Sequence, residues 1–213
     1  MTAASDTEPS SYHHGDLPNA LKAAAAEVIV ERGPSGFSLR EVARRAGVSH
    51  AAPAHHFGDS TGLLTALAID AFRLLDEAMG AAAAEASDPI DRIRRIGMAY
   101  VEVGADNPAH IGVVFRPDLV DTSTAEYGEW GERAYGHLQG ALDAFRDAYN
   151  PDLDTDVAAR LCWSMVQGIL VLFDGMSARD EDHDVAIRPI VELVDGFTGI
   201  LVDGLRTSGT TDD

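Results

Sequence analysis

The segment GFSLREVARRAGVSHAAPAHHFG, residues 36–58, contains two short apolar patterns separated by a glycine. Leu39, Val42, Ala43 and Ala46 recur at spacings of three and four, which predicts a helix with one buried face. Gly47 is expected to end this helix, since glycine readily adopts the left-handed conformation found after helix C-termini. A second short helix follows, and two short helices joined by a tight glycine turn are typical of a helix-turn-helix.

Local signals set the expected ends of both helices. Ser38 followed by Glu41 resembles a capping box at the start of the first helix. Ser49 is a suitable N-cap for the second. Pro53 would then occupy about the fourth helical position and remove one backbone hydrogen bond. The residues expected on or beside the DNA-facing side of this helix are Ser49, His50, Ala51, Pro53, Ala54 and His55.

The second helix contains no Lys or Arg, so charge for phosphate contacts must come from its neighbours. Arg40 and Arg44 are four residues apart and share the face opposite the apolar stripe. The candidate phosphate contacts are Lys22, Ser38, Arg40, Arg44 and Arg45, with solvated charge as the alternative for each arginine.

The histidines of the second helix have three possible roles. His50 and His55 could donate hydrogen bonds to DNA when neutral or contact phosphate when protonated; the alternative is that they are merely solvated. His56 is expected to pack beside Phe57. Adjacent side chains on a helix point about 100° apart, so His55 and His56 cannot easily share an ion. We therefore predict no metal site, and no motif suggests a cofactor.

Charge is distributed unevenly along the chain. The formal net charge is -19, yet residues 11–60 contain five basic and five acidic residues. The acidic remainder should repel DNA, so only the N-terminal part is expected to approach phosphates.

The rest of the chain also shows helical periodicity, which predicts an all-α protein of about nine helices. Further helices are expected near residues 17–31, 61–86, 89–106, 108–115, 155–174 and 185–206, with Pro189 near the first turns of the last. A second capping box, Ser123 with Glu126, is expected to begin a helix that carries Trp130 and Phe145. We expect a DNA-binding domain over 12–60, a helical effector-binding and dimerisation domain over 61–206, and disordered tails at 1–11 and 207–213.

Aromatic and apolar residues in the later helices suggest a ligand cavity, although plain core packing would produce the same pattern. The candidates are Met98, Val101, Phe115, Trp130, Leu138, Trp163, Val166, Gln167 and Leu170. No buried base is evident, which favours a small apolar or cationic effector over a carboxylate. Cys162 is expected to be a small buried hydrophobe.

The last two helices are too apolar to bury only one face. The final helix carries Ile190, Leu193, Val194, Phe197, Leu201 and Leu205 on one side. We expect them to form a homodimer interface with a second copy, with single-chain core packing as the alternative.

Three stretches resemble the tetracycline-repressor (TetR) family of bacterial regulators: 12-YHHGDLPNAL-21, 33-GPSGFSLREVARRAGVSHAAPAHHFGDSTGLL-64 and 107-NPAHIGVVF-115. Trp163 with Gln167-Gly168 is similar to a subgroup signature that has His where Gln167 stands. The resemblance implies a homodimer that binds double-stranded operator DNA and a small molecule. Ala54 and Ser60 replace the Tyr and the Lys or Arg common in the family, which should weaken phosphate binding.

The sequence therefore predicts a ligand-responsive repressor released from its operator by a small molecule. The alternative is a helical small-molecule-binding protein with weakened or lost DNA recognition. An enzyme is not expected, because no catalytic constellation is present. The apolar runs are shorter than a membrane span needs, and the first eleven residues do not resemble a secretory signal, so a cytoplasmic location is expected.

Overall fold

The computed structural model describes residues 16–177 and 183–207, and over these ranges the chain forms nine α-helices and no strand. The helices are α1 (Leu17–Arg32), α2 (Leu39–Arg45), α3 (Ala52–Phe57), α4 (Ser60–Ala84), α5 (Pro89–Asp106), α6 (Pro108–Val114), α7 (Ala125–Tyr149), α8 (Thr155–Ser177) and α9 (His183–Thr207), with a 3-10 turn at Pro34–Gly36. The all-α prediction is confirmed. The predicted tails fall almost wholly outside the described residues.

Helix α4 connects the two ends of the molecule. Helix α1 packs on α2, α3, α4 and α6, while α4 also packs along α5, α6 and α7. Helices α8 and α9 close the bundle against α5. The buried apolar side chains form one cluster that extends from Leu21 in α1 to Val202 in α9, so movements of the C-terminal helices can be transmitted to α1 through packed side chains.

Short polar residues begin the longer helices as their sequence suggests. The Asp88 carboxylate accepts hydrogen bonds from the backbone N–H groups of Ile90 and Asp91 at 2.8 and 2.9 Å, with Pro89 at the first helical position. Asp59 caps α4 by accepting from Gly62 N at 2.9 Å. These caps satisfy amide groups that have no partner inside the helix.

Both predicted capping boxes are wrong. Ser38 precedes α2 but makes no side-chain cap, and Glu41 binds arginines instead. At α7 the cap is Thr124, which accepts from Tyr127 N, while Glu126 binds Arg73. In both cases the carboxylate binds a guanidinium instead of a backbone N–H group at the start of the helix. A hydrogen bond from a charged donor is stronger than one from a neutral donor.

Pro189 is the seventh residue of α9, counted from its start at His183, so it lies near the first turns of this helix as expected. The expectation that every apolar run is too short to span a membrane needs correction. Residues Thr155–Leu172 of α8 are long and apolar enough to cross a membrane by length and composition, with a mean hydropathy of 1.2 and 33% of that window buried. A single such helix is weak evidence for a span, since the core helix of a bundle has the same composition.

Candidate DNA-binding surface and ligand cavities

The turn between α2 and α3 has the geometry of a tight glycine turn. Gly47 has φ +67°, which only glycine adopts without strain. Val48 N donates to Ala43 O at 3.0 Å and so folds the chain back onto α2. The half-buried Val48 side chain packs against the core. This turn fixes the angle at which α3 leaves α2.

Helix α3 begins later than its sequence suggests. Its first residue is Ala52, Ala51 precedes it, and Ser49 provides no side-chain cap. The Ser49 carbonyl accepts from Ala52 N in a turn before the helix. Pro53 is therefore the second helical residue and removes no helical hydrogen bond, because amides in the first turn lack a partner in any case.

The orientation of α3 divides its residues into two groups. His50, Ala51, Ala54 and His55 are exposed, as expected of a DNA-facing side. Pro53 is buried against the domain core, which corrects its assignment to that side. His56 is exposed, and its ring lies 6.4 Å from that of Phe57, so packing beside Phe57 does not bury it. The exposed side carries imidazoles but no Lys, Arg, Asp or Glu side chain.

Arg40 and Arg44 both project from α2 into solvent. Among the residues that the structure describes, Arg40 forms no ion pair. Arg44 donates to the Glu41 carboxylate from Nη2 at 2.7 Å and from Nε at 3.0 Å. Ser38, at the start of the same helix, is exposed. Arg40 is thus the cation most available to a phosphate, and Arg44 must first exchange its carboxylate partner.

Arg45 and Lys22 are held within the chain, contrary to their assignment as phosphate contacts. Arg45 is 17% exposed and donates two hydrogen bonds to Glu31 at 2.8 and 2.6 Å. Lys22 Nζ lies 2.5 Å from Asp70 Oδ2 of α4. Both pairs join α1 to a neighbouring helix, so these cations support packing between helices in this conformation.

The carboxylates around α2 are strongly perturbed by these arginines. Hydrogen bonding to Arg44 lowers the pKa of Glu41 to about 2. Hydrogen bonding to Arg45 lowers the pKa of Glu31. Both acids are ionised at neutral pH and offset the positive charge of the arginines. Sequence reasoning missed this network because its members come from two helices.

A pocket lined almost entirely by apolar groups lies among α4, α5, α7, α8 and α9. We call it the buried pocket. Its lining includes three of the predicted ligand residues, Leu138, Trp163 and Val166. The other lining residues are Leu75, Met79, Ile93, Ile96, Gly97, Tyr100, Ala134, Cys162, Val194, Phe197, Thr198 and Leu201. Its volume is about 30 Å³, enough for a water molecule or two.

Trp163 is the centre of an aromatic cluster at this pocket. Its ring stacks on Tyr135 with centroids 5.0 Å apart and meets the edges of Tyr100 and Phe115 at 6.1 and 5.7 Å. The Trp163 Nε1 atom is buried and makes no hydrogen bond of normal geometry, although it lies close enough to the Tyr100 hydroxyl to oppose the rise that burial causes in the pKa of that group. Such a donor carries a desolvation cost that a ligand acceptor could relieve.

Tyr100 is a site residue that the sequence analysis missed. Its hydroxyl donates to Gln167 Oε1 at 2.9 Å, and burial raises its pKa. Tyr100 lies on the same buried face of α5 as Ile93 and Ile96. An aromatic residue with a hydroxyl at such a core position is the sequence signal that could have identified it. Cys162 is 6% exposed, as predicted, and burial raises its pKa to about 11.

Several predicted ligand residues lie outside the buried pocket. Trp130 is half-buried between the guanidinium groups of Arg73 and Arg133, whose Cζ atoms lie 5.0 and 4.4 Å from the ring centre. Val101 is fully buried core, Met98 is half-buried, and Phe115 is 42% exposed. None of these four residues lines the buried pocket.

Gln167 and Leu170 line a different space, which we call the junction cavity. It lies between the end of α1 and the helices α5, α6, α8 and α9, with a volume of about 570 Å³. Its other lining residues are Ile29, Val30, Gly33, Pro34, Gly104, Ala105, Pro108, Ala109, Ile111, Gly112, Arg116, Val171 and Ile190. The sequence gives no sign of this cavity, because its walls come from distant segments.

Large apolar side chains remain exposed along α8 and α9. On α8 they include Val157, Leu161, Met165 and Leu172, and on α9 Leu193 and Ile200. The stripe predicted for α9 is divided: Ile190 and Val194 are buried within this chain, and Phe197 and Leu201 line the buried pocket. Leu193 of the predicted stripe does lie on the outward face, but Ile200, which is also exposed there, was not selected by the periodicity.

Residues 16–177 and 183–207 contain no group of three His, Cys, Asp or Glu side chains placed to hold a metal ion. His13 and His14 lie outside these ranges.

Two family profiles match the sequence. The profile described as "Bacterial regulatory proteins, tetR family" matches residues 21–67, and that described as "Tetracyclin repressor-like, C-terminal domain" matches residues 93–194. Together they cover well over half of the chain. The subgroup suggested by Trp163 and Gln167 is not confirmed. No curated protein matches the sequence.

Solved structures share the fold over most of their length. A Rhodococcus sp. RHA1 protein of unknown function is 29% identical, with a TM-score of 0.73 over 93% of this chain and 100% of that one. The TetR family transcriptional regulator PfmR from Thermus thermophilus is 21% identical, with a TM-score of 0.70 over 87% and 98%. FadR from Bacillus subtilis, solved with stearoyl-CoA, is 16% identical, with a TM-score of 0.69 over 87% and 98%.

Proposed function

Because the chain belongs to the tetR family of DNA-binding bacterial regulators, we propose that it is a transcriptional repressor whose homodimer binds operator DNA and releases it when a small molecule binds. The proposal depends mainly on one observation: α3 follows the Gly47 turn with one side exposed, and Arg40 of α2 is exposed near it. The same family membership indicates that it is not an enzyme.

The proposed DNA contacts are the exposed residues of α2, α3 and the turn between them. His50, Ala51, Ala54 and His55 would face the major groove, where imidazoles and small side chains meet base edges. Ser38, Arg40 and, after exchange of Glu41, Arg44 would contact phosphates. Ser49 is exposed beside them and supplies a further hydroxyl. With few cations available, affinity should be modest and dependent on salt.

The proposed dimer uses the outward faces of α8 and α9. Leu161 and Ile200 are 58% and 74% exposed, and such apolar surface is usually covered by a partner. Gly196 lies between Leu193 and Ile200 on the exposed face of α9, which permits close approach of another helix. Two copies would form a four-helix interface with two-fold symmetry.

We propose the buried pocket as the effector site. None of its lining residues that the structure describes is charged, which supports a neutral apolar effector over a cationic one. An acceptor group on the effector would satisfy Trp163 Nε1. Since the volume is only about 30 Å³, binding would select a more open arrangement of α5, α7, α8 and α9, and this arrangement would change the placement of α1–α3.

The domain division and location are part of the same proposal. We assign residues 12–60 to DNA binding and 61–206 to effector binding and dimerisation, with α4 starting at the boundary after its Asp59 cap. A regulator that binds chromosomal DNA in a bacterium acts in the cytoplasm.

One observation favours the alternative, a small-molecule-binding protein with weakened DNA recognition. Lys22, Arg44 and Arg45 are all paired with carboxylates of this chain, and Ala54 and Ser60 supply no charge. Selection of bound fragments from a genomic DNA pool at low salt separates the two functions. Recovery of a palindrome with half-sites about one helical turn apart supports the dimeric repressor, whereas recovery of nothing supports the alternative.

Arg40→Ala then tests the phosphate contact on the selected fragment. We expect weaker binding to every sequence and a salt slope reduced by about 0.9. Arg146→Ala is the matched control, because Arg146 lies at the end of α7, away from α2. If the two substitutions weakened DNA binding equally, the effect would come only from the net charge of the protein and not from a phosphate contact of Arg40.

A further inference from the structure

The junction cavity separates the DNA-binding helices from the C-terminal bundle. One wall is the end of α1 with Pro34, another is formed by α5 and α6, and the third by Leu170 and Val171 of α8 with Ile190 of α9. Its volume of about 570 Å³ is typical of small-molecule sites. The buried pocket is far smaller, so the junction cavity, unlike that pocket, is already open to a ligand.

Apolar groups on opposite walls of this cavity are left in contact with water. Val30 of α1 is 64% exposed and Val171 of α8 is 66% exposed. Both line the cavity. Covering apolar side chains of this size is favourable, so a molecule between these walls must have an apolar part.

The polar side chains of the lining offer donors. The Arg116 guanidinium donates to Asp118 through Nε and Nη2, at 2.9 and 2.8 Å, which leaves the Nη1 donors for another partner. Gln167 accepts the Tyr100 hydroxyl through Oε1, so its amide nitrogen can still donate. No lining residue that the structure describes has a carboxylate. A bound molecule with acceptor oxygens would pair with these donors.

From these observations we propose that the junction cavity is a second ligand site, which binds an amphiphilic anion. Its apolar chain lies between Val30 and Val171, and its anionic group meets Arg116 and Gln167. The cavity is distinct from the proposed effector site, because the Tyr100–Gln167 hydrogen bond stands between them: Tyr100 lines the buried pocket and Gln167 the junction cavity. A ligand here touches α1 directly, so its affinity depends on how α1 is placed.

Two substitutions on opposite walls test this site. Val30→Glu adds a carboxylate at an exposed position of α1, with Val30→Gln as its neutral control. Gly112→Met adds bulk on α6, where a Cβ would meet no atom within 4 Å. Gly112→Ala is its control, because a methyl group fits the same open space. Arg116→Gln removes the cation that would bind the anionic group.

The probe is decanoate, titrated into the full chain by calorimetry and compared with decanol and decyltrimethylammonium. We expect decanoate to bind most tightly, since a charge-assisted hydrogen bond adds about tenfold in affinity. Val30→Glu and Gly112→Met should each weaken decanoate about tenfold or more, and both controls should bind it like the wild type. Arg116→Gln should remove the preference for decanoate over decanol.

Gly97→Ala distinguishes the two cavities, because Gly97 lines only the buried pocket and its added Cβ would lie 3.4 Å from Val194 Cγ1. Decanoate binding should not change in this variant. Loss of binding in Gly97→Ala but not in Gly112→Met would place decanoate in the buried pocket and overturn the proposal. Equal affinity for decyltrimethylammonium, or wild-type affinity in both Val30→Glu and Gly112→Met, would overturn it too. None of these readouts requires DNA binding.

Discussion

Glu41→Gln should strengthen DNA binding and make it more dependent on salt. In the wild type the Glu41 carboxylate accepts hydrogen bonds from Arg44 at 2.7 and 3.0 Å and from Arg32 at 3.2 Å. A phosphate that approaches Arg44, whose side chain is 65% exposed, must displace this carboxylate. Glutamine keeps the size of the side chain but removes its charge, so Arg44 becomes available.

The size of the effect follows from counterion release. One additional phosphate contact should steepen the slope of log affinity against log salt by about 0.9. Over a fourfold rise in salt, the variant should therefore lose about 3.5 times more affinity than the wild type loses. The assay is fluorescence anisotropy with a labelled duplex selected from the genomic pool, repeated over a series of KCl concentrations.

The control is Glu126→Gln, which makes the same charge change where the carboxylate binds Arg73 on the C-terminal helices. If both variants raised the affinity for DNA equally and left the salt slope unchanged, the effect would come only from the net charge of the protein. The identification of Arg44 as a phosphate contact would then be wrong.

The same residue predicts a pH dependence of stability. Hydrogen bonding to Arg44 lowers the pKa of Glu41 from 4.5 to about 2. A carboxylate with a depressed folded-state pKa stabilises the protein above its unfolded pKa, and this contribution is lost as the pH falls toward the folded value. The urea midpoints of the wild type and Glu41→Gln should therefore differ above pH 4.5 and converge as the pH falls toward 2. A constant difference across this range would contradict the ion-pair network.

Three further outcomes follow from the geometry. Gly47→Ala should lower the free energy of unfolding by about 1–2 kcal/mol in urea titrations, because φ is +67° there; Gly140→Ala, in the exposed interior of α7, should instead stabilise by about 0.5–1 kcal/mol. Leu161→Glu should convert the proposed dimer to a monomer in light scattering, whereas Val30→Glu, on α1, should not; if the Leu161→Glu variant were still a dimer, α8 would not belong to the interface. Cys162, with its pKa raised to about 11, should react with a thiol reagent at pH 8 only after unfolding, and fast reaction in the native state would show that it is accessible.

The sequence predicted the order of the helices because local chemistry ends each one. Asp88-Pro89 and Gly47 act within a few residues of their own positions, and the structure places helix boundaries there. Apolar periodicity likewise identified the face of α2 on which Val42 and Ala43 are buried. These signals need no knowledge of distant segments.

The predictions that were wrong concern contacts between segments that are distant in the sequence. Glu41 was expected to cap its own helix, but Arg32 from α1 lies within reach and binds it. Trp130 was expected in a cavity, yet the rotation of α7 places its ring between two arginines. Pro53 was assigned to the DNA-facing side, yet α3 packs with this residue buried in the core. In each case tertiary packing, which periodicity does not specify, decides the outcome.

The chain has only two tryptophans, and their surroundings make them separate optical reporters. Trp163 faces the buried pocket among aromatic rings, so its emission should respond to the polarity of whatever enters. Trp130 lies between Arg73 of α4 and Arg133 of α7, so its emission should respond when those two helices shift. Trp163→Phe would retain only Trp130, and Trp130→Phe would retain only Trp163. The two variants would allow effector entry and helix movement to be timed independently in an unlabelled protein.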